Sequence, residues 1–288
     1  MIHEPVIDEF DKHLSLQGRS PHTRRLYRGR LLDIAQQLTP RSLLDATPSD
    51  LEAWRAALTV ADISVVSYVA GVRVFYAWLA AAGRIPSNPA LTMPIPRLGR
   101  RLPRPIGDDD LQMAILHAFG RVRAWLVLAG YAGLRCCEIA TLRRDCIFER
   151  VSRPYMIVHG KGDKERAVPM SQYVWTELKL FGLPRRGWIF PRLDGLIGHT
   201  PPGSVTRYGN LHLRDCGLDE TMHQLRHRFG TVGYQATGEI RELQEVMGHA
   251  DISTTALYAA HSNPRAAALV DAVQPRATLR IVRDDSGA

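Results

Sequence analysis

Apolar residues in the first 85 positions recur at helical spacing. Val69, Val72, Phe75, Tyr76 and Leu79 fall on one stripe of a segment running from about Ser64 to Ala82, and Gly83 follows where such a helix would end. Two earlier helices are marked by their starts, because Ser20 and Thr47 each place a capping hydroxyl directly before a proline, Pro21 and Pro48. Proline suits a first turn, where its missing N–H has no helical partner to lose. With an opening helix from about Val6 to Leu16, the pattern predicts a small helical bundle over residues 1–85.

The periodicity stops at residues 86–106. Six prolines and four arginines (Arg97, Arg100, Arg101, Arg104) fall there with no acid among them, a composition that supports neither helix nor sheet. The stretch reads as a basic linker, either a solvated spacer or a strap along a phosphate backbone. Helical spacing resumes in DDDLQMAILHAF, with three acids at its positive end, and in VRAWLVLAGYAGL. CIFERV, YMIVH and RAVPM then read as short strands, the last two joined by a tight turn over Gly160-Lys161-Gly162-Asp163. Helices return from about Thr221 to Val273, and residues 276–288 read as a disordered polar tail. The predicted fold class is mainly α with one small antiparallel β-sheet: a helical bundle over 1–85, the linker, and an α+β domain over 107–275.

Composition narrows the partners. A chain of 288 residues that is 45% apolar can fill two cores, and its formal charge of +8 favours a polyanion, nucleic acid ahead of an acidic membrane face. No apolar run reads as a bilayer span and the N-terminus lacks a secretory pattern, so the expected location is cytoplasmic. Cys136, Cys137, Cys146 and Cys216 form no CxxC pair and sit at no zinc-finger spacing from a histidine, so they are expected to be free thiols, with no metal bound. Arg24, Arg25 and Arg28 share a face of the second predicted helix, which is either a solvated face or one turned to DNA.

The stretch HQLRHRFGT, His223 to Thr231, concentrates cations beside apolar residues. Thr221 and Gln224 form a capping-box pattern that puts His223 in the first turn of a helix and Arg226 one turn later. Met222, Leu225, Phe229 and Val232 make the predicted buried stripe, with His223 and Arg226 on its border. A helix N-terminus with an adjacent arginine suits a phosphodiester, and the same dipole favours a neutral, proton-accepting histidine. Alone, HxxR at this spacing arises often by chance. Four further residues each have a plain structural reading as well as a chemical one. Arg135 precedes a helix bearing Glu138 and can be a simple ion pair. Lys161 at a hairpin tip can be solvated or reach into a cleft. His249 follows a helix-ending Gly248, and Tyr258 can be packed or reactive.

Taken together, Arg135, Lys161, His223, Arg226, His249 and Tyr258, within GLRxxE, GKGxKxRxVP, HxLRH and GHxxxxTTxxY, resemble in order and context the active-site set of the tyrosine recombinase (phage integrase) family. VRVFYAWLAAAGRIPSNPA resembles the end of that family's helical, SAM-like core-binding domain, and the layout is similar to the two-domain Xer recombinases without an arm-binding domain in front.

The resemblance implies a clamp on duplex DNA in which Tyr258 attacks a phosphodiester to give a 3′-phosphotyrosyl intermediate. A phenol with a pKa of about 10 needs help to act as a nucleophile near neutrality. His223 is the candidate base, Arg135 and Arg226 the grip on the non-bridging oxygens, Lys161 the proton donor to the departing 5′ oxygen, and His249 a phosphate hydrogen-bond donor. Glu138 would orient its neighbours. Neither ATP nor a metal is required, and no cofactor is expected. Inverted half-sites, a homotetramer exchanging its C-terminal helices, and an accessory DNA-bending or directionality protein are the implied partners. Integration or excision of a phage or mobile element is the first reading of the task and Xer-type dimer resolution the second. A type IB topoisomerase and a DNA-binding protein without catalysis are the rivals. Departures from the family pattern are Cys136-Cys137 inside the first motif and Arg228 where a small residue is common.

Overall fold

The computed structural model describes residues 5–96, 105–149, 152–160, 164–248 and 264–273, and the chain divides into two compact units, Met1–Arg101 and Leu102–Ala288.

The first unit holds α1 (Pro5–Leu16), α2 (Pro21–Leu38), α3 (Pro48–Ala56) and α4 (Asp62–Ala81). Ser20 Oγ accepts the Thr23 N–H at 3.2 Å, and Thr47 exchanges bonds with Asp50 in a full capping box, so both hydroxyl-proline starts act as the sequence indicates. All five stripe residues of α4 are fully buried, and Phe75 meets Phe10 of α1 edge to face at 5.1 Å between ring centroids. By length and composition α4 is apolar enough to cross a membrane, contrary to the expectation that no run would be. Its buried stripe forms the centre of this core, which accounts for that apolar character. The first part of the predicted linker is also packed here: Ala90 and Met93 are buried with Ile85, and Arg73 of α4 donates to the Met93 carbonyl at 2.6 Å. Small and apolar residues between the prolines give that stretch something to bury.

The second unit runs α5 (Asp108–Leu116), α6 (Gly120–Tyr131), α7 (Cys136–Ala140), β1 (Ile147–Phe148), β2 (Tyr155–His159), β3 (Glu165–Pro169), α8 (Gln172–Phe181), α9 (Pro202–Asp215), α10 (Met222–Thr237), α11 (Ile240–Met247) and α12 (Pro264–Ala272). The sheet is antiparallel in the order β1-β2-β3, with β2 and β3 in register from Tyr155 opposite Pro169 to His159 opposite Glu165. Helix α6 is the axis of the unit. Every residue from Ala124 to Tyr131 is buried, and α8, α9 and α10 pack around it. Helices α8 and α9 were not legible in the sequence. The buried positions of α9 are Val205, Gly209 and Leu213, a stripe with a glycine in its middle. A Cβ at Gly209 would stand 2.5 Å from Met222 Sδ, so that glycine is what lets α10 approach. Helix α12 lies on its own unit, with Leu269, Val270 and Val273 buried, and Asp271 accepts two bonds from Arg153 at 2.6 and 3.0 Å.

Candidate active site

Glu138 is the organising residue. Gly133, at φ +66°, turns the chain after α6 so that Leu134 enters the core and Arg135 stands just before α7. Glu138 is 1% exposed and accepts the Arg135 backbone N–H and one Arg135 Nη, both at 2.8 Å. Arg166 of β3 grips the same carboxylate with both Nη atoms, each at 2.8 Å, and Arg226 Nη1 lies 3.8 Å from it. Burial alone would raise the pKa of Glu138. The bonds from Arg166 and Arg135 outweigh that effect and hold it below the usual glutamate range, so it is ionised. Among the described residues one carboxylate thus faces three guanidinium groups, and positive charge is in excess.

The rest of that charge meets the carbonyl end of α11. Arg166 Nε donates to Val246 O at 2.7 Å, Arg226 Nη2 to Met247 O at 2.6 Å, and Arg135 to Met247 O at 3.3 Å and Gly248 O at 3.1 Å. Helix C-terminal carbonyls lack intrahelical partners and carry partial negative charge, so they suit cations. Arg226 also donates to Gly133 O. The sequence placed Arg226 on the border of the buried stripe, but it is 2% exposed. Its charge is accommodated there by the Gly133 and Met247 carbonyls and by Glu138. Burial, with Arg135 nearby, lowers its pKa to about 10, so it is still a cation near neutrality. Arg135 has a side chain 33% exposed and is the most solvent-accessible of the three arginines.

His223 sits in the first turn of α10 and is exposed, edge to face with His227 at 4.4 Å between ring centroids. Partial burial, then His227, Arg226 and Arg135, push its pKa below the usual histidine value and favour the neutral ring. The Thr221–Gln224 capping box is formed, and Met222 N–H is taken by Asn210 Oδ1 at 2.8 Å. The Thr221 and Met222 N–H groups at this helix end are therefore already engaged within the chain.

Arg135, Glu138 and Arg226 are thus brought together, with His223 close enough to feel the charge of both arginines. Lys161, His249 and Tyr258 lie outside the described residues, as do Arg97, Arg100, Arg101 and Arg104. Arg166, a member of the GKGxKxRxVP motif, is a functional position that local sequence pattern alone does not assign. Its signal was its place in GKGDKERAVP, one residue from the end of the hairpin. In the first unit, Arg24 and Arg28 are engaged by Asp11 and Asp8 of α1, which ties α2 to α1 and offsets part of the charge proposed for DNA, while Arg25 is exposed. Arg228 is 1% exposed, with Nε on Asp108 Oδ1 at 2.8 Å and its guanidinium 5.0 Å from the Tyr131 ring centre. The four cysteines are free, and burial raises the pKa of the Cys136 thiol. Among the described residues no three His, Cys, Asp or Glu side chains are grouped to hold a metal.

Comparison with known proteins gives the same assignment. Residues 113–265 match the phage integrase family, and residues 7–83 match the phage integrase N-terminal SAM-like domain. The chain is 31% identical to tyrosine recombinase XerC of Chromobacterium violaceum, over 98% of each chain. Among solved structures it resembles the integrase of mycobacterium phage Brujita, with 25% identity, coverage of 96% of this chain and 94% of that one, and a TM-score of 0.55. It shares a fold with a lambda integrase dimer bound to a COC′ core site at a TM-score of 0.70, with 17% identity and coverage of 87% of this chain and 98% of that one. An arginine cluster organised by a buried glutamate, in a chain matched along nearly its whole length, identifies it as a member of the tyrosine recombinase (phage integrase) family, whose enzymes cut and rejoin DNA.

Proposed function

We propose that this recombinase cleaves duplex DNA with Tyr258 as nucleophile, through a 3′-phosphotyrosyl intermediate, and reseals it to a new partner strand. The observation that carries this reading is the convergence of Arg135 and Arg226 on Glu138. A phosphodiester under attack gains charge on its non-bridging oxygens, and preorganised guanidinium groups stabilise that charge more than they stabilise the ground state. Arg135 and Arg226 take that part. His223, biased to its neutral form, accepts the phenolic proton. Lys161 protonates the 5′ leaving oxygen and His249 bonds a phosphate oxygen. Because the bond energy is kept in the phosphotyrosine, religation needs no external energy source.

In this reading residues 1–85 bind the core half-site and residues 107–275 carry the chemistry, a division supported by the SAM-like match over 7–83 and the integrase match over 113–265. The working assembly is a tetramer on two inverted-repeat sites, and α12 leaves its own unit to dock on a neighbour. Arg25 and the arginines of 97–104 contact phosphates, and an accessory DNA-bending protein sets direction. The task is exchange between two defined sites, for integration or excision of a mobile element. The end-to-end similarity to XerC supports the second reading, resolution of joined replicons.

The test is a core duplex recovered by selection from randomised DNA and nicked beside the scissile phosphate so that religation fails. A covalent protein–DNA adduct that disappears in Tyr258→Phe is expected. No adduct, or one undiminished in that variant, rejects the reading in favour of a DNA-binding protein without catalysis.

A further inference from the structure

We infer that Arg166 is a positioning residue for strand cleavage: by holding Glu138 and the last turn of α11 together, it sets the geometry in which Arg135 and Arg226 meet the scissile phosphate. This rests on the roles proposed above for those two arginines.

The Arg166 side chain is only 11% exposed, and its donors point inward at two separate elements. Both Nη atoms meet the two oxygens of Glu138 at 2.8 Å, a paired arrangement that fixes the plane of the carboxylate as well as its distance. That carboxylate in turn holds Arg135 at two points, its backbone N–H and its Nη1. On the opposite side Arg166 Nε bonds Val246 O at 2.7 Å, one residue before the Met247 carbonyl that Arg135 and Arg226 share. The guanidinium also packs directly on the end of that helix. A Cβ at Gly248 would lie 2.8 Å from Arg166 Nη1 and 3.0 Å from its Cδ, at a φ of +65° that already favours glycine. Arg166 is next to Glu165, the first residue of β3, which pairs with His159 at the turn end of the hairpin, so the same side chain ties that hairpin to the arginine pair.

Arg166 thus shares Glu138 with Arg135 and bonds Val246 O, the carbonyl beside the Met247 oxygen that Arg135 and Arg226 use, while its own side chain is less solvent-facing than that of Arg135. Such a residue acts through the others. A lysine at this position keeps the charge but presents one compact ammonium, which cannot span both carboxylate oxygens and Val246 O in a single plane.

The experiment compares single-turnover cleavage by wild type, Arg166→Lys and Arg135→Lys on two nicked core duplexes. One carries a normal scissile phosphate and the other a neutral methylphosphonate at that position. For Arg166→Lys the account expects core-duplex binding within a few-fold of wild type and cleavage of the phosphate substrate reduced on the order of 100-fold, as for misplaced reacting groups. On the methylphosphonate, where one charged oxygen is gone, the deficit should shrink at least tenfold. An equal deficit on both substrates, or none on either, overturns the inference. Arg135→Lys separates the two levels: if it shows no phosphate-selective loss, the assignment of the phosphate grip itself fails. If it does and Arg166→Lys does not, only the positioning role fails. Should Arg166→Lys not fold, Gly248→Ala, which crowds the same guanidinium, carries the comparison with the same expected and overturning results.

Discussion

Arg226 Nη2 lies 2.6 Å from the carbonyl oxygen of Met247, the last residue of α11, and Arg226 Nη1 donates to Gly133 O, so one buried guanidinium joins two chain segments far apart in sequence. This makes Arg226 both a structural link and the proposed phosphate ligand. A lysine there cannot satisfy both carbonyls and an incoming oxygen. Arg226→Lys should lower cleavage on the order of 100-fold or more, as for loss of one preorganised donor. Its melting temperature should also fall by several degrees. Single-turnover assays with thermal melts check this, and a variant melting like wild type would show that the carbonyl bonds contribute little.

The low pKa of His223 gives a direction to the pH profile. As the base, it works when unprotonated, so cleavage at sub-saturating DNA should fall as pH drops through a value below the usual histidine pKa of about 6.5. Folding has the same sign. A histidine whose folded pKa is depressed contributes stability above its unfolded pKa and loses it as pH falls through the folded value. His223→Gln should abolish the acid limb of the rate profile; a limb left in place would assign it to another group.

Among the described residues, Glu138 is the one carboxylate paired with three guanidinium groups, so removing its charge should be severe. Glu138→Gln is expected to lose roughly 3–5 kcal/mol of stability near neutral pH, the usual scale for breaking a buried ion pair. Because the folded pKa of Glu138 is depressed, the wild-type advantage is present above the unfolded value of about 4.3 and fades as pH falls below it. Urea melts of both proteins at neutral pH and near pH 3.5 test the convergence. A constant difference across that range would mean the charge of Glu138 is not what stabilises the cluster.

Arg228 offers a contrast, since it is as buried as Arg226 but serves α5 and α6 through Asp108 and Tyr131. Arg228→Ala should cost about 3 kcal/mol by leaving a cavity and by removing the buried ion pair with Asp108. Cleavage per folded molecule should stay within about twofold of wild type. Melts alongside active-site titration with the nicked duplex decide it, and a large loss of cleavage in folded protein would place Arg228 in the reaction.

What the sequence made legible was what depends on near neighbours. Ser20 and Thr47 cap helices through residues three positions away, and the α4 stripe follows from spacing alone. The α10 capping box was readable for the same reason. Burial of Arg226 was not, because its acceptors come from Gly133 and Met247. The role of Arg166 stayed hidden likewise, since Glu138 and Val246 reach it from other elements. Helix α9 was missed because Gly209 occupies its buried stripe, where packing needs the absence of a side chain and a hydrophobic pattern has nothing to score. Arg24 and Arg28 share a face as expected, but only the fold reveals Asp11 and Asp8 opposite them.

The most direct measurement is a structure of the enzyme on a selected core duplex in which vanadate bridges the two DNA ends at the scissile position, mimicking the five-coordinate phosphorus of the transfer. The account predicts the Tyr258 oxygen bonded to vanadium, Nη atoms of Arg135 and Arg226 on its equatorial oxygens, and Arg166 still on Glu138 and Val246. Vanadate held by other side chains, with Tyr258 remote from it, would contradict the account.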